Sequence, residues 1–192
     1  TAVDFENEAQ SWLRQPIVTV PADVYRDAGW RIPLRYDPKR FPKTEFQFRD
    51  SFNFTWATGT FHWGDAIINW GNKAQGVQPS GRNLEYDFVA AAAKEYVRTG
   101  RMAIWKLCRP AAEHMMYTDF IDFSTDEWKH GGIAAHGPAH TWGSCYPSHM
   151  WAEGLTLYYQ LTGDRYALYV INRVGDFFLK YIRGRFAAVQ ST

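Results

Sequence analysis

The chain has 192 residues, 46% of them hydrophobic and 21% charged, the balance of a folded globular protein rather than a disordered or fibrous one. Its 21 Lys and Arg against 20 Asp and Glu leave a formal charge of +1, so no global basic field argues for nucleic acid or an anionic membrane surface as partner. No apolar run approaches the roughly 20 residues of a membrane span, and two cysteines, Cys108 and Cys145, are too few for a disulfide scaffold and lack zinc-ribbon spacing.

Aromatic content is the outlier at 17%, with nine Trp, eleven Tyr and thirteen Phe. That suits a large core, and equally a cleft lined with flat faces for sugar rings, which brings carbohydrate in as a partner class.

Residues 1–60 hold Pro16, Pro21, Pro33, Pro38 and Pro42, together with β-favouring pieces such as "PIVTVP" and "TEFQFRDSFNFTW". The alternation of Phe46 with Phe48 and of Phe52 with Phe54 predicts a strand or hairpin with one apolar face, so this segment is expected to be extended, loop-rich or β-containing.

From about Leu84 the apolar period becomes helical. "NLEYDFVAAAAKEYVRTG" puts Tyr86, Val89, Ala90, Ala93 and Val97 on one stripe, with Asn83 as expected N-cap and Gly100 as stop. A second helix is predicted over 103–117, kinked or split where Pro110 removes a backbone donor. The stretch 118–147 reads as loop, rich in Gly, Pro, His and Trp. A third helix is predicted in "PSHMWAEGLTLYYQL", capped by Ser148, and a fourth in "DRYALYVINRVGDFFLKYI", capped by Asp164.

The two helix pairs share a pattern: an aromatic residue, two more, Thr-Gly, a polar residue, then an apolar helix. A repeat of about sixty residues built as helix, tight turn and helix is the sequence signature of a ring or solenoid of helical hairpins. The region 61–192 is therefore expected to be mainly α, the helical hairpins of an (α/α) toroid. Two hairpins cannot close such a ring, so this region is expected to be an incomplete portion of a larger domain, completed by further parts of the protein or by other chains. A start at Thr1 without methionine agrees with that.

Candidate chemistry gathers in the long loop and around it. Three of the six histidines, His136, His140 and His149, lie within "HGPAHTWGSCYPSHM", among Gly, Pro and Trp. Gly137 and Pro138 separate the first two and argue against a helical metal pair. His149 and Glu153, four residues apart on the predicted third helix, would share a face. In the repeat Tyr86 aligns with His149, so a tyrosine and a histidine would stand at equivalent first-turn positions, an arrangement suited to proton transfer. Asp119 and Asp122, beyond His114, could form a carboxylate pair for glycoside hydrolysis, bind a cation or cap turns. Asp65 lies among His62, Trp63 and Trp70. No phosphate-binding glycine loop, nucleophile elbow or zinc-protease pair occurs in the sequence.

At "GTFHWGD", "NLEYD", "EYVRTG", "EHMMYTDFID", "GGIAAHGPAH" and "SHMWAEGLTLYYQLTGD", in that order across about residues 41–180, the chain resembles the exo-acting rhamnogalacturonan lyases and related helical-toroid polysaccharide-degrading proteins. Its Asp119 and Asp122 are more widely spaced than the tight Asp-x-Asp of that pattern. The resemblance implies a secreted protein, extracellular or periplasmic, of pectin degradation and carbohydrate metabolism. Its implied activity is that of a polysaccharide lyase cleaving beside a uronic acid by β-elimination.

That chemistry needs a cation or arginine to neutralise the C5 carboxylate, a base for the C5 proton and an acid for the leaving oxygen. Histidine suits the base, with an ordinary pKa of about 6.5. The expectations are His136, His140 or His149 as base, Tyr86 as acid and Glu153 as the group tuning His149. Arg82 or Lys129 would meet the carboxylate, with a divalent cation such as calcium as the alternative. Trp63, Trp142 and Trp151 would stack on sugars and Asp65 would bind substrate. Two other readings stand beside the lyase: a glycoside hydrolase on the same scaffold, centred on Asp65, Asp119, Asp122 and Glu153, and a structural or carbohydrate-binding protein without activity.

Overall fold

The computed structural model describes Pro16, residues 20–31, Lys39, residues 87–134 and residues 145–190, the last six by backbone alone. The described residues are mainly helical, with five α-helices and two short strands. The predicted strands around Phe46–Phe54 lie outside them. Within the N-terminal segment, α1 (Ala22–Asp27) is a single helical turn and a half rather than extended chain. Pro21 precedes it, where a missing N–H costs nothing, and Tyr25 and Trp30 pack their rings 5.0 Å apart against the core.

The first hairpin joins α2 (Phe88–Thr99) to α3 (Met102–His114), and the second joins α4 (Glu153–Thr162) to α5 (Arg165–Gln190). Their turns are near copies. Gly100 at φ 66°, ψ 11° and Gly163 at φ 70°, ψ 14° both take the left-handed conformation that stops a helix. Each glycine N–H donates back at 2.7 Å, to the Tyr96 and Tyr159 carbonyls. Each preceding threonine donates its hydroxyl to the helix, Thr99 to the Glu95 carbonyl and Thr162 to that of Tyr158. Each also accepts the first N–H after the glycine, from Arg101 and Asp164. Asp164 caps α5 as expected, its Oδ1 accepting from the Tyr166 N–H at 2.9 Å.

Two helix boundaries differ from the sequence expectation. α3 runs through Pro110 unsplit, then widens into a π-helical turn over Met115–Asp119 before the chain leaves as strand β1. The third predicted helix is in two parts: a 3₁₀ turn over Pro147–His149, non-helical Met150 to Ala152, and only then α4. Ser148 therefore caps nothing, because the helix it was expected to open begins five residues later.

Between the hairpins, β1 (Phe120–Ile121) pairs antiparallel with β2 (Gly132–Ile133), Phe120 opposite Ile133, inside the stretch that reads as loop. Gly131 (φ 81°) lets this ladder lie on α5: a Cβ there would stand 2.4 Å from the Arg173 carbonyl oxygen.

The core lies between the hairpins. α2 presents Ala90, Ala92 and Ala93 alongside Val89, Tyr96 and Val97, so small side chains admit close neighbours on that face. Trp105 of α3 stacks on Tyr158 of α4 with centroids 5.6 Å apart and planes 5° apart, and Tyr96 of α2 tilts against Trp105 at 5.2 Å. These three rings are at most 2% exposed. Burial of this kind stabilises by about 1.5–3 kcal/mol per large side chain and, across two hairpins, locks one to the other. Cys108 and Cys145 are buried free thiols; burial raises both above the usual thiol range.

Candidate functional site

α2 and α4 meet at their N-terminal ends through one carboxylate. Asp87 caps α2 by accepting from the Ala90 N–H on Oδ1 at 2.9 Å, and its Oδ2 accepts from the Gly154 N–H of α4 at 3.0 Å, across 67 positions of chain. One side chain thus satisfies an otherwise orphaned amide on each of two helices. The arrangement needs a backbone that L-residues seldom adopt: Asp87 sits at φ 34°, ψ 61°, left-handed, where Asp and Asn are the non-glycine residues most readily tolerated. It also needs Gly154. A Cβ at that position would fall 2.3 Å from Asp87 Oδ1, 2.5 Å from Ala90 N and 2.6 Å from Val89 Cβ.

Burial pushes the Asp87 carboxyl above the ordinary carboxylate range; nearby Glu153 adds to this, while the Ala90 and Gly154 amides and Lys94 oppose it. Glu153, the first residue of α4, reaches across to α2 and pairs with Lys94, Oε1 to Nζ 2.7 Å. The two helix starts are therefore joined twice, by Asp87 at the amides and by the ion pair two turns further along α2. Both helix starts thus meet at one carboxylate.

Four of the expected site residues are described. Glu153 and His149 do not share a helical face as expected: His149 ends the 3₁₀ turn and Glu153 opens α4, with the non-helical Met150–Ala152 between them. Glu153 turns to Lys94 instead. His149 is half-buried, its Nδ1 2.9 Å from Ser148 Oγ and its ring edge-on to Tyr146 at 6.2 Å. Trp151 is half-buried immediately before α4. Lys129 lies elsewhere, in the 3₁₀ turn Glu127–Lys129 between the strands, 3.9 Å from Asp126. Tyr86, His136, His140, Trp63, Asp65, Trp142 and Arg82 lie outside the described residues.

The Asp119 and Asp122 carboxylates do not work as a pair. Asp119 is 1% exposed, with its Oδ1 3.4 Å from Nε2 of the equally buried His114. Asp122 is exposed and accepts from the Tyr169 hydroxyl at 2.7 Å, with Arg173 Nε 3.7 Å away. A polymer cannot reach the first of these, which removes the acid-and-base role considered for the two together. Among the described residues no three His, Cys, Asp or Glu side chains gather as a metal site, and no helix is long and apolar enough to cross a membrane.

Sequence reasoning missed Lys94 and the double role of Asp87. An Asp three residues ahead of Ala90 at the head of an alanine-rich run is a legible N-cap signal. Its second bond is not legible, since nothing local in either segment records that Gly154 lies beside it.

No protein-family model matches this chain, and no curated protein or solved structure matches it either.

Proposed function

We propose that the chain is a carbohydrate-active portion of an (α/α) toroid, acting as a polysaccharide lyase by β-elimination on a uronic-acid-containing polymer such as rhamnogalacturonan. The observation that carries this reading is the junction of α2 and α4. In the two repeated hairpins the N-terminal ends of the first helices are drawn together by Asp87. His149 and Trp151 lie just before the start of α4, Glu153 opens it, and Lys94 reaches Glu153 from α2; Tyr86, the expected acid, immediately precedes Asp87 in the sequence. The mainly α architecture and the recurrence of the Thr-Gly turn support the toroid.

In this reading His149 takes the C5 proton, the electron pair forms the C4–C5 double bond, and the C4–O bond breaks as Tyr86 protonates the leaving oxygen. Lys94 meets the uronate carboxylate, whose negative charge grows as the proton leaves, and so takes the role expected of Arg82 or Lys129. Glu153 holds Lys94 at the helix junction and not His149 as expected. His136 and His140, which precede His149 in the sequence, are the other candidates for the base. Trp151 stacks on a sugar.

The test is ultraviolet absorbance of the unsaturated product during incubation with rhamnogalacturonan and other uronate polymers, with and without a chelator. General acid–base groups contribute about 10²–10⁴-fold, so His149→Ala is expected to lower the rate by that order while leaving the circular dichroism unchanged. Release of reducing ends with no absorbance rise would replace the lyase with a glycoside hydrolase. No reaction of either kind would leave a structural or carbohydrate-binding role.

A further inference from the structure

The two hairpins can be laid over each other on their turns, Thr99-Gly100 on Thr162-Gly163. That pairs Trp105, Cys108, Ala112, Met115 and Met116, on α3 and its π-helical continuation, with Leu168, Ile171, Gly175, Phe178 and Leu179 of α5. Steps of three and four residues place each set on one side of its helix. The α3 set is wholly inside, at most 2% exposed, and the neighbouring hairpin helps to cover it, since Trp105 lies flat on Tyr158 of α4. The α5 set is not covered in this way. Leu168, Ile171 and Phe178 are only half-buried, and Leu179 is 52% exposed. Gly175 is exposed, with nothing within 4 Å of where a Cβ would stand. Ile182, 46% exposed, continues the stripe by one turn.

This stripe is not the side that α5 turns to water. Arg165, Asn172, Asp176 and Arg183, all exposed, form a polar line of their own, and Ala167, Val170, Val174 and Phe177 are buried in the core. One helix thus carries a core stripe, a polar stripe and a third stripe that is apolar yet largely open, the mark of an interaction surface.

The repeat says what fits there. Where hairpin 1 has this face, it receives the first helix of the next hairpin, with an aromatic ring at Tyr158. A second copy of the chain does not offer the same group. Its α4 already uses Tyr158 on Trp105, and in its α2 the Tyr158 position is Glu95, whose carboxylate accepts from Arg98 Nε at 2.8 Å. Seating that pair on Leu168 would desolvate charges against an aliphatic surface.

We infer that the α5 stripe from 168 to 182 is the docking face for a third helical hairpin of the same repeat, whose first helix sets a large apolar side chain on Leu168 as α4 sets Tyr158 on Trp105. Gly175, standing where α3 has Ala112, lets that helix approach closely. The face rests on the toroid reading above for the kind of partner, and not on the reaction.

The test compares the chain with a version extended by a second copy of residues 128–190 joined after position 190, by urea denaturation and light scattering. In the chain itself, Leu179→Lys and Ile182→Lys should leave the urea midpoint unchanged, while Met116→Lys, at the α3 counterpart of Leu179, should abolish folding. The extended chain should unfold in one transition at a higher midpoint. There Leu179→Lys should lower the midpoint by about 1 M, the burial of one large side chain divided by the usual urea dependence. The face is overturned if Leu179→Lys destabilises the unextended chain, which would mean that the stripe is already covered. It is overturned equally if the unextended chain forms a dimer that Leu179→Lys dissolves, which would make a second copy the occupant, or if Leu179→Lys leaves the extended chain unchanged. Neither readout involves turnover. Docking in a chain without lyase activity would therefore remove the reaction and keep the face, and lyase activity in a chain that fails these tests would do the reverse.

Discussion

At their C-terminal ends α2 and α4 are finished by their own chain: a threonine, a left-handed glycine and the N–H that follows close each turn within five residues. At their N-terminal ends the same two helices are finished by a shared group, Asp87, which belongs to one hairpin and serves both. The first device can be copied from hairpin to hairpin without reference to any neighbour. The second exists only when the hairpins are docked, so it couples the local stability of each helix start to the packing of the pair. Of the residues proposed to act on a substrate, His149, Trp151 and Glu153 lie at or just before the α4 start.

Removing the shared cap is the hardest test of that contrast. Asp87→Ala is expected to cost about 2–4 kcal/mol, two helix caps at about 1–2 kcal/mol each, measured by urea denaturation. Asp87→Asn keeps one acceptor and tolerates the left-handed backbone, so about 1 kcal/mol is expected. Gly154→Ala should cost a similar few kcal/mol, about 1–3 or somewhat more, because the blocking atoms include the Ala90 backbone nitrogen. Combined with Asp87→Ala it should cost less than the sum, since each change opens the same junction. A strictly additive result would show that the two helix starts are independent.

The local ends should give smaller and additive effects. Gly100→Ala and Gly163→Ala each force a left-handed alanine, at φ 66° and 70°, for about 1–2 kcal/mol. The two turns share no partner in their hydrogen bonding, so the double variant should equal the sum within about 0.5 kcal/mol. Coupling here would mean that the turns, too, are tertiary structures.

The finest test is in pH. Burial raises the Asp87 carboxyl in the folded chain, so between its ordinary and its raised value the folded state binds more proton than the unfolded one. Its contribution to stability is then fully present below the ordinary carboxylate value and is lost as pH rises through the folded one. The stability difference between the wild type and Asp87→Asn should accordingly be larger near pH 4 than near pH 7. A difference that grew with pH would mean that the two amide bonds outweigh desolvation.

Much of the fold was legible before any tertiary contact. The helical period after Leu84, Gly100 as the stop of α2, Asp164 as the cap of α5 and the repeated Thr-Gly turn all rest on interactions within one or two turns of chain. The boundaries that went astray are those where distant groups intervene. Asn83 was the expected cap of the first helix, but Asp87 opens α2. Ser148 was expected to open the third, but the helix waits for Glu153, where Asp87 supplies an acceptor from the other hairpin. The expected His149–Glu153 pair failed for the same reason, since four-residue spacing makes neighbours only within one continuous helix.

Sequence by itself determined that this chain would form two similar helical hairpins with an aromatic core, because period, glycine conformation and capping are local physics. It also marked His149, Trp151 and Glu153 as residues near one helix start. Only the tertiary structure decided that the first helices of the two hairpins meet at their N-termini, that Lys94 takes Glu153, that Asp119 is buried against His114 while Asp122 faces outward, and that Trp128 is partly exposed between the strands. Those outcomes depend on which carboxylate meets which amide or cation once the Trp105–Tyr158 core has closed, and residue spacing along the chain carries no record of that.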